Sequence, residues 1–196
     1  CGKTPFPTWL VKHVVPAGTD KLGDKKLKAI ASNMLVELAS ATSPKIVVNK
    51  VVAHLGDAKT PAVLTEGLNF QALCCRDFGA AALDFDRIMD HAKSNKGLGS
   101  ANKLVRTSAI ELLSVLYHEL GAAVRVPLEQ DSKLSDSLKK TLFKSFDKVG
   151  HDVAAAASAV RRTVRSDANK NESSASESQA LDVSDEIKAF LGDISR

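Results

Sequence analysis

The chain has 196 residues, which is enough for one domain of ordinary size and a tail. Its formal net charge of +4 weakly favours an acidic partner. It is 44% hydrophobic, 26% charged and only 5% aromatic, which is typical of a soluble globular domain and argues against a β-sandwich or β-barrel. No apolar run in the sequence reaches the ~20 residues of a membrane span, so the composition predicts no interaction with the membrane interior.

The amino-terminal half predicts four helices joined by short polar turns. The first covers residues 7–22, and the second follows it after a polar turn. The third begins at Ser43-Pro44, which places a cap before a proline at the first helical position. Its many β-branched residues would suit a strand, but their three- and four-residue spacing favours a helix. The fourth helix covers residues 61–78 and ends before a glycine.

The central helix, over residues 102–121, is marked at both ends. Asn102 stands at the N-cap position, and Gly121 stands where helices often end in a left-handed conformation. A shorter helix over residues 83–93 and a loop precede it. Apolar residues spaced by three and four form one face, and three more widen it: Leu104, Ile110 and Val115. We therefore expect the central helix to be buried on two sides, as the inner helix of a stack.

Beyond the central helix, the sequence predicts further helix and then a linker. Residues 135–149 form a helix, and residues 153–164 prolong it or form another. Residues 166–180 contain no large apolar residue, which is typical of a disordered linker, and amphipathic spacing resumes after them. We expect three parts: a folded domain over 1–165, a linker over 166–180 and the start of a following domain over 181–196.

The order of helix, short polar turn and helix predicts an all-α fold, a HEAT-repeat α-solenoid of antiparallel helix pairs. Polar turns recur at Asp24, Asp57 and Asn102, at separations that bracket the length of a HEAT or armadillo unit. In such a solenoid each repeat buries its apolar face only against its neighbours. The given sequence shows no repeat before the first helix that could cover its apolar face. We therefore expect that face in the isolated chain, including Val11 and Val15, to be mobile, self-associated or covered by something else.

The three cysteines are Cys1 and the adjacent pair Cys74-Cys75. Neighbouring side chains on a helix point about 100° apart, so this pair cannot form an ordinary disulfide. An odd set of thiols without a CxxC spacing indicates a reduced, intracellular protein. The first residue is Cys rather than Met, and we expect the chain to be an internal piece of a longer protein.

Patterns for catalysis and metal binding are weak. His118-Glu119 begins like the HExxH motif of zinc proteases, but Ala122 stands where the second ligand is needed. The glycine-rich run at 97–99 has no preceding strand and no following Gly-Lys-Ser/Thr, so a flexible loop is favoured over a phosphate-binding loop. We therefore predict a non-enzymatic protein with no metal site and no cofactor.

The distributed cations are more informative. Equivalent turns of stacked helix pairs fall in a row along one edge of a solenoid. That row predicts a basic ridge, which consists of Lys25, Lys26, Lys59, Lys103 and Arg106. Such a ridge suits an acidic protein surface or nucleic acid, although turns between helices are polar in any case. The cations lack interleaved aromatic residues, which argues against nucleic acid.

Several stretches carry a resemblance to a known family. They are residues 9–16 followed by 21–26, residues 76–79, residues 102–113 and residues 182–187. The first three resemble the TOG domain, the tubulin-binding HEAT module of the microtubule polymerase family, and the last resembles the opening of the next TOG domain in an array. The stretch from Asn102 is similar to the family's Asn-Pro-x-Val-Arg-x-Ala-Ala-Ile turn and helix, with Lys103 in place of the proline. The resemblance covers roughly residues 5–150 and 181–196.

The resemblance implies a HEAT solenoid that grips curved αβ-tubulin with its intra-repeat turns, within a protein that promotes or regulates microtubule growth. Carried over one position at a time, the tubulin-binding residues are Lys25 and Lys26 in the third unit's turn, Lys59 and Thr60 in the fourth, and Asn102, Lys103 and Arg106 in the fifth. The earlier units are missing, so at most half of the tubulin site lies in this chain.

The resemblance further implies which partners and which location to expect. The partners are αβ-tubulin and the microtubule plus end, with neither nucleic acid nor membrane. The location is the cytoplasm, on the cytoskeleton of microtubules at the spindle or centrosome. The alternative is a generic HEAT-repeat scaffold whose ridge binds another acidic protein.

Overall fold

The computed structural model describes residues 8–152 and 161–162, and every regular element within these ranges is a helix. The elements are α1 Thr8–Leu22, α2 Lys28–Ala41, α3 Pro44–Asp57, α4 Pro61–Phe78, α5 Phe85–Lys93, α6 Lys103–Leu120, α7 Ala122–Glu129 and α8 Asp136–Val149, with a short 3-10 helix at Ala80–Ala82. The all-α prediction is confirmed. No helix in the described ranges is both long and apolar enough to cross a membrane.

The helices stack in consecutive pairs. α1 contacts α2 and α3, α3 contacts α4, and α4 packs most extensively on α6. α6 also contacts α5, α7 and α8, and this coverage buries Val105, Leu112 and Leu116. The prediction that the central helix is an inner helix is therefore confirmed. The helices α2, α4 and α6 each begin after a polar turn.

Both ends of α6 have the predicted structure. Asn102 Oδ1 accepts hydrogen bonds from Leu104 N at 2.9 Å and Val105 N at 3.4 Å, which satisfies amide groups that an uncapped helix leaves free. Gly121 ends the helix with φ 53°. A Cβ at this position would lie 2.6 Å from the imidazole ring of His151, so glycine is required by both conformation and space.

One part of the prediction for α6 is wrong. Leu104 was expected to widen the buried face, but its side chain is 66% exposed. It precedes the buried Val105 by one residue and therefore points about 100° away from the buried face, in a first turn where no neighbouring helix covers it. Ile110 and Val115 are partly buried against the core, as expected.

The β-branched third helix is helical, as its spacing predicted. Val47, Val48, Val51 and Leu55 are fully buried, so α3 is enclosed on a broad face by its neighbours. Gly67 of α4 allows this close packing, because a Cβ there would lie 2.5 Å from Leu55 Cδ1. Helix–helix packing decides the conformation here, since β-branched residues lower helix propensity only slightly.

The expectation that the apolar face of the first helix would lack a cover within its own unit is wrong for Val11 and Val15. Both are buried, because α1 packs against α2, α3 and α4 of the same unit. Exposed apolar side chains occur instead on α2 and the turn before it, where Leu27, Ile30 and Met34 follow each other at helical spacing. The face of the first pair that remains open is therefore carried by α2.

The last described helix, α8, covers α6 from the side opposite α4. The rings of Tyr117 and Phe146 stack with their centroids 4.4 Å apart, and Ser114 Oγ lies 2.9 Å from Ser145 Oγ. The prediction of a helix over 135–149 is confirmed. The predicted linker at 166–180, the domain start at 181–196 and most of 153–164 lie outside the described residues.

Candidate protein-binding edge

The first polar turn, between α1 and α2, presents two lysines to solvent. Asp24 Oδ1 accepts hydrogen bonds from Lys26 N at 2.8 Å and from Leu27 N at 3.2 Å. Asp24 O also accepts one from Lys28 N at 2.9 Å. These bonds satisfy the amide groups at the start of α2 and fix the turn. The side chains of Lys25 and Lys26 are exposed on this ordered turn.

The second turn, between α3 and α4, is shorter. Thr60 has extended backbone angles (φ −82°, ψ 117°), and Pro61 occupies the first position of α4. Lys59 and Thr60 are both exposed. The proline fixes the start of α4, so Lys59 and Thr60 just before it are held on the turn at the edge of the stack.

The third connection is the loop between α5 and α6, which contains the glycine-rich run at 97–99. Leu98 is buried, and its amide donates a hydrogen bond to Ala92 O at 2.7 Å. A Cβ on Gly97 would lie 2.1 Å from Ala92 O. Glycine is therefore needed here for the close approach of two backbone segments, which is a packing role.

The start of α6 divides the predicted site residues into two groups. Asn102 is half-buried and caps the helix, and Arg106 Nη1 donates hydrogen bonds to Ser100 O and Ala101 O, each at 2.8 Å. Arg106 therefore holds the preceding loop. In contrast, Lys103 is exposed and makes no such contact among the described residues.

The three turns follow one another along a single edge. The first turn lies against the second, as the distance from Gly23 shows: a Cβ on Gly23 would be 2.6 Å from Val63 Cγ2, at the start of α4. Lys28 and Glu66 also form an ion pair of 2.9 Å between α2 and α4. The third turn lies against the second because Lys96 Nζ donates a hydrogen bond to Ala58 O. The four lysines of the basic ridge therefore stand in chain order on three adjacent turns.

A recess lies beside the last of these turns. It is a cavity of about 450 Å³ between the start of α6 and the start of α8, lined by residues that include Leu98, Lys103, Arg106, Ile110 and Leu138. Its lining combines apolar side chains with two cations of the basic ridge. The edge therefore offers a partner a depression as well as charge.

Sequence reasoning missed Leu104 as a candidate for this surface. It is an exposed leucine next to Lys103, on the edge that carries the basic ridge. Large apolar side chains surrounded by polar ones are frequent anchors in protein interfaces. No sequence pattern revealed this exposure, because Leu104 matches the helical spacing of the buried face and only the packing around the first turn of α6 leaves it uncovered.

The groups that resembled catalytic motifs have structural roles. Burial raises the pKa of Cys75 to about 12 and that of Cys74 well above its usual value, so both remain neutral thiols. Glu119 accepts a hydrogen bond from Ala80 N at 2.8 Å. Among the described residues, no group of three or more His, Cys, Asp or Glu side chains is placed to hold a metal ion.

The fold agrees with a comparison against protein families. The family model described as "XMAP215/Dis1/CLASP, TOG domain" matches residues 7–148. The chain belongs to the XMAP215/Dis1/CLASP TOG-domain family. The matched range includes all three turns of the ridge and ends within α8.

Relatives and a solved structure agree with this assignment. The chain is 30% identical over 144 residues to the protein mini spindles of Drosophila melanogaster, which covers 74% of this chain. It is 28% identical to the MOR1 proteins of Arabidopsis thaliana and Oryza sativa subsp. japonica, over 61% and 82% of this chain. The chain spans only 7%, 6% and 8% of the length of these three relatives, respectively.

The fold is similar to that of Drosophila melanogaster Mini spindles TOG3. The TM-score is 0.67 at 29% sequence identity, and the similarity covers 76% of this chain and 62% of that chain. This likeness confirms the predicted HEAT-type solenoid.

Proposed function

We propose that this TOG-like unit is a non-catalytic module that binds αβ-tubulin through its basic ridge. The observation that carries the proposal is the row of four exposed lysines, Lys25, Lys26, Lys59 and Lys103, on three adjacent turns of one edge. Membership of the TOG-domain family supports the choice of partner.

The chemistry of the edge suits a folded acidic protein. Exposed lysines steer an acidic partner and set its orientation, but each exposed ion pair contributes only ~0.2–1 kcal/mol. A stable complex therefore also needs apolar contact near the centre of the interface. Leu104 and the recess beside Lys103 provide such contact at the third turn.

The wider role follows from the short span of this chain within its relatives. We propose that the unit is one part of a larger microtubule-associated protein that promotes or regulates microtubule growth at the plus end. Linked binding units raise the local concentration of a shared ligand, so several such units would concentrate tubulin dimers near a growing end. The corresponding location is the microtubule cytoskeleton of the cytoplasm, at the spindle or centrosome.

A second candidate is a HEAT-repeat scaffold that binds another acidic protein. It is favoured by Arg106, which the resemblance assigns to tubulin but which is bound to Ser100 O and Ala101 O. Because Arg106 is occupied by these carbonyl groups, only the four exposed lysines face a partner. Lysines attract an acidic surface in general but lack the bidentate geometry with which an arginine recognises a carboxylate.

Fluorescence anisotropy with labelled αβ-tubulin tests the proposal, with duplex DNA of equal charge as the comparison, at low and at physiological salt. We expect saturable binding of tubulin that weakens with salt but persists at physiological ionic strength. We expect DNA binding to be weak and to vanish at the higher salt concentration. Tubulin binding no stronger than DNA binding would contradict the proposal, because it would show only a general attraction to polyanions.

A further inference from the structure

Residues 161 and 162 lie against the middle of the stack. Arg162 N donates a hydrogen bond to Asp77 O at 2.7 Å, although α4, which contains Asp77, is four helices earlier than α8 in chain order. Residues 161–162 therefore lie at the carboxyl-terminal end of α4. The match to the family model ends at residue 148, so these two residues lie beyond it.

Arg161 binds the end of α4 and the end of α6 together. Its Nη1 donates hydrogen bonds to Cys75 O at 3.1 Å and Arg76 O at 2.7 Å, and its Nη2 donates to Glu119 Oε1 at 2.9 Å. The last carbonyl groups of a helix lack partners within the helix and carry partial negative charge, so a cation is favoured there. The side chains of Arg161 and Glu119 are only 25% and 11% exposed.

The backbone at the end of α4 leaves space for this guanidinium. Gly79 has φ 86°, and a Cβ on it would lie 3.5 Å from Arg161 Nε and 3.8 Å from Glu119 Oε2. The guanidinium of Arg161 therefore lies beside the position that a Cβ on residue 79 would occupy. The other carboxylate oxygen of Glu119, Oε2, accepts a hydrogen bond from Ala80 N at 2.8 Å.

Arg162 extends the contact to the first helix pair. Its Nε lies 3.0 Å from Asp77 Oδ2, and its Nη1 donates a hydrogen bond to Glu37 Oε1 at 2.7 Å. Glu37 is in the last half of α2. Two consecutive arginines thus contact the carboxyl-terminal parts of three helices: α6 through Glu119, α4 through Asp77 and α2 through Glu37.

We propose that Arg161 and Arg162 form an intramolecular clasp, in which the segment after α8 binds the ends of α6, α4 and α2. The clasp extends the folded unit past the end of the family match. It places Arg162 beside α2, in the first helix pair.

The clasp lies on the edge opposite the basic ridge. The ridge turns precede α2, α4 and α6, whereas the clasp contacts the other ends of the same helices. α4 and α6 have 18 residues each, which corresponds to a length of roughly 27 Å. Residues 161 and 162 therefore lie away from the ridge turns and do not cover the surface proposed for the acidic partner.

A zero-length cross-link tests the position of the clasp in the full chain. In the variant Arg162→Lys, the new amine keeps the positive charge and can be joined to a carboxylate by carbodiimide. We expect mass spectrometry to find residue 162 linked to Glu37 or Asp77. The link should disappear when Glu37→Gln and Asp77→Asn are added to the same variant.

The variant Arg125→Lys provides the positive control, because Arg125 Nε lies 2.7 Å from Glu129 Oε1 on an exposed surface. A link between residues 125 and 129 shows that the reaction works on an ion pair of this protein. If that link forms while none joins residue 162 to Glu37 or Asp77, the clasp does not exist in solution and the proposal is overturned.

Hydrogen exchange measures what the clasp does for the fold. In Arg161→Gln with Arg162→Gln, we expect amide exchange at residues 76–80 to become several-fold faster. The carbonyl groups of Cys75 and Arg76 lose their donors, and Glu119, which accepts from Ala80 N, loses its ion-pair partner, so the end of α4 should open more often. The matched control is Lys140→Gln with Lys144→Gln, which removes the same charge from exposed positions of α8. Equal exchange rates at residues 76–80 in both variants would refute a stabilising role for the arginines.

Discussion

Replacing Arg106 separates a structural role from a binding role. Arg106 Nη1 donates to Ser100 O and Ala101 O, and a glutamine at this position is too short to reach both carbonyl groups. Hydrogen bonds from a charged group contribute about 1.5–3 kcal/mol, and partial exposure places this pair at the lower end. We therefore expect Arg106→Gln to lower the free energy of unfolding by about 1–2 kcal/mol, and the Tm by roughly 2–8 °C.

Lys103→Gln is the matched comparison for this experiment. It removes an exposed charge from the same turn, so we expect no measurable change in Tm and a weaker complex with tubulin. Thermal melts followed by circular dichroism measure the first quantity, and anisotropy with αβ-tubulin measures the second. An unchanged Tm in Arg106→Gln, or an equal loss of stability in Lys103→Gln, would refute the assignment of Arg106 to the loop.

Three further predictions concern other parts of the fold. Burial lowers the pKa of His91 to about 4, so below pH 6.5 the unfolded chain takes up a proton that the folded chain does not. The free energy of unfolding, measured by urea titration, should therefore fall by up to about 3 kcal/mol as the pH is lowered from 6.5 to 4. The variant His91→Gln should lose most of this pH dependence. Gly121→Ala combines a left-handed conformation with a contact of 2.6 Å to His151, and should cost about 1–3 kcal/mol in the same assay. Leu104→Ser should leave the Tm unchanged, because the side chain is already exposed, while the anisotropy titration shows weaker tubulin binding.

The sequence predicted the helices well because their signals are local. The cap at Asn102, the glycine at Gly121 and the proline at Pro44 each fix a helix end through groups only a few residues away. The spacing of the valines in α3 likewise outweighed their β-branched character. These signals placed the three polar turns at the starts of α2, α4 and α6, and hence in a row.

The errors and omissions come from contacts that local patterns do not contain. Leu104 matched a helical spacing, but its burial depended on whether a neighbour covered the first turn of α6. Arg106 has the same sequence context as a free interface cation, and only the path of the loop before α6 gives it carbonyl partners. The clasp joins Arg162 to Glu37 across 125 positions, a separation at which no spacing rule applies.

The most direct test of the proposed function compares two charge-reversal variants in the tubulin titration. One changes the ridge by Lys26→Glu, Lys59→Glu and Lys103→Glu, and the other makes the same charge change at exposed lysines away from the turns: Lys50→Glu, Lys140→Glu and Lys144→Glu. At ~0.2–1 kcal/mol for each lost pair, with added repulsion, the ridge variant should bind αβ-tubulin roughly ten- to a hundredfold more weakly. The second variant should retain near-normal affinity, and both should keep the helical circular-dichroism signal. Equal affinities of the two variants would contradict the claim that the basic ridge is the binding surface.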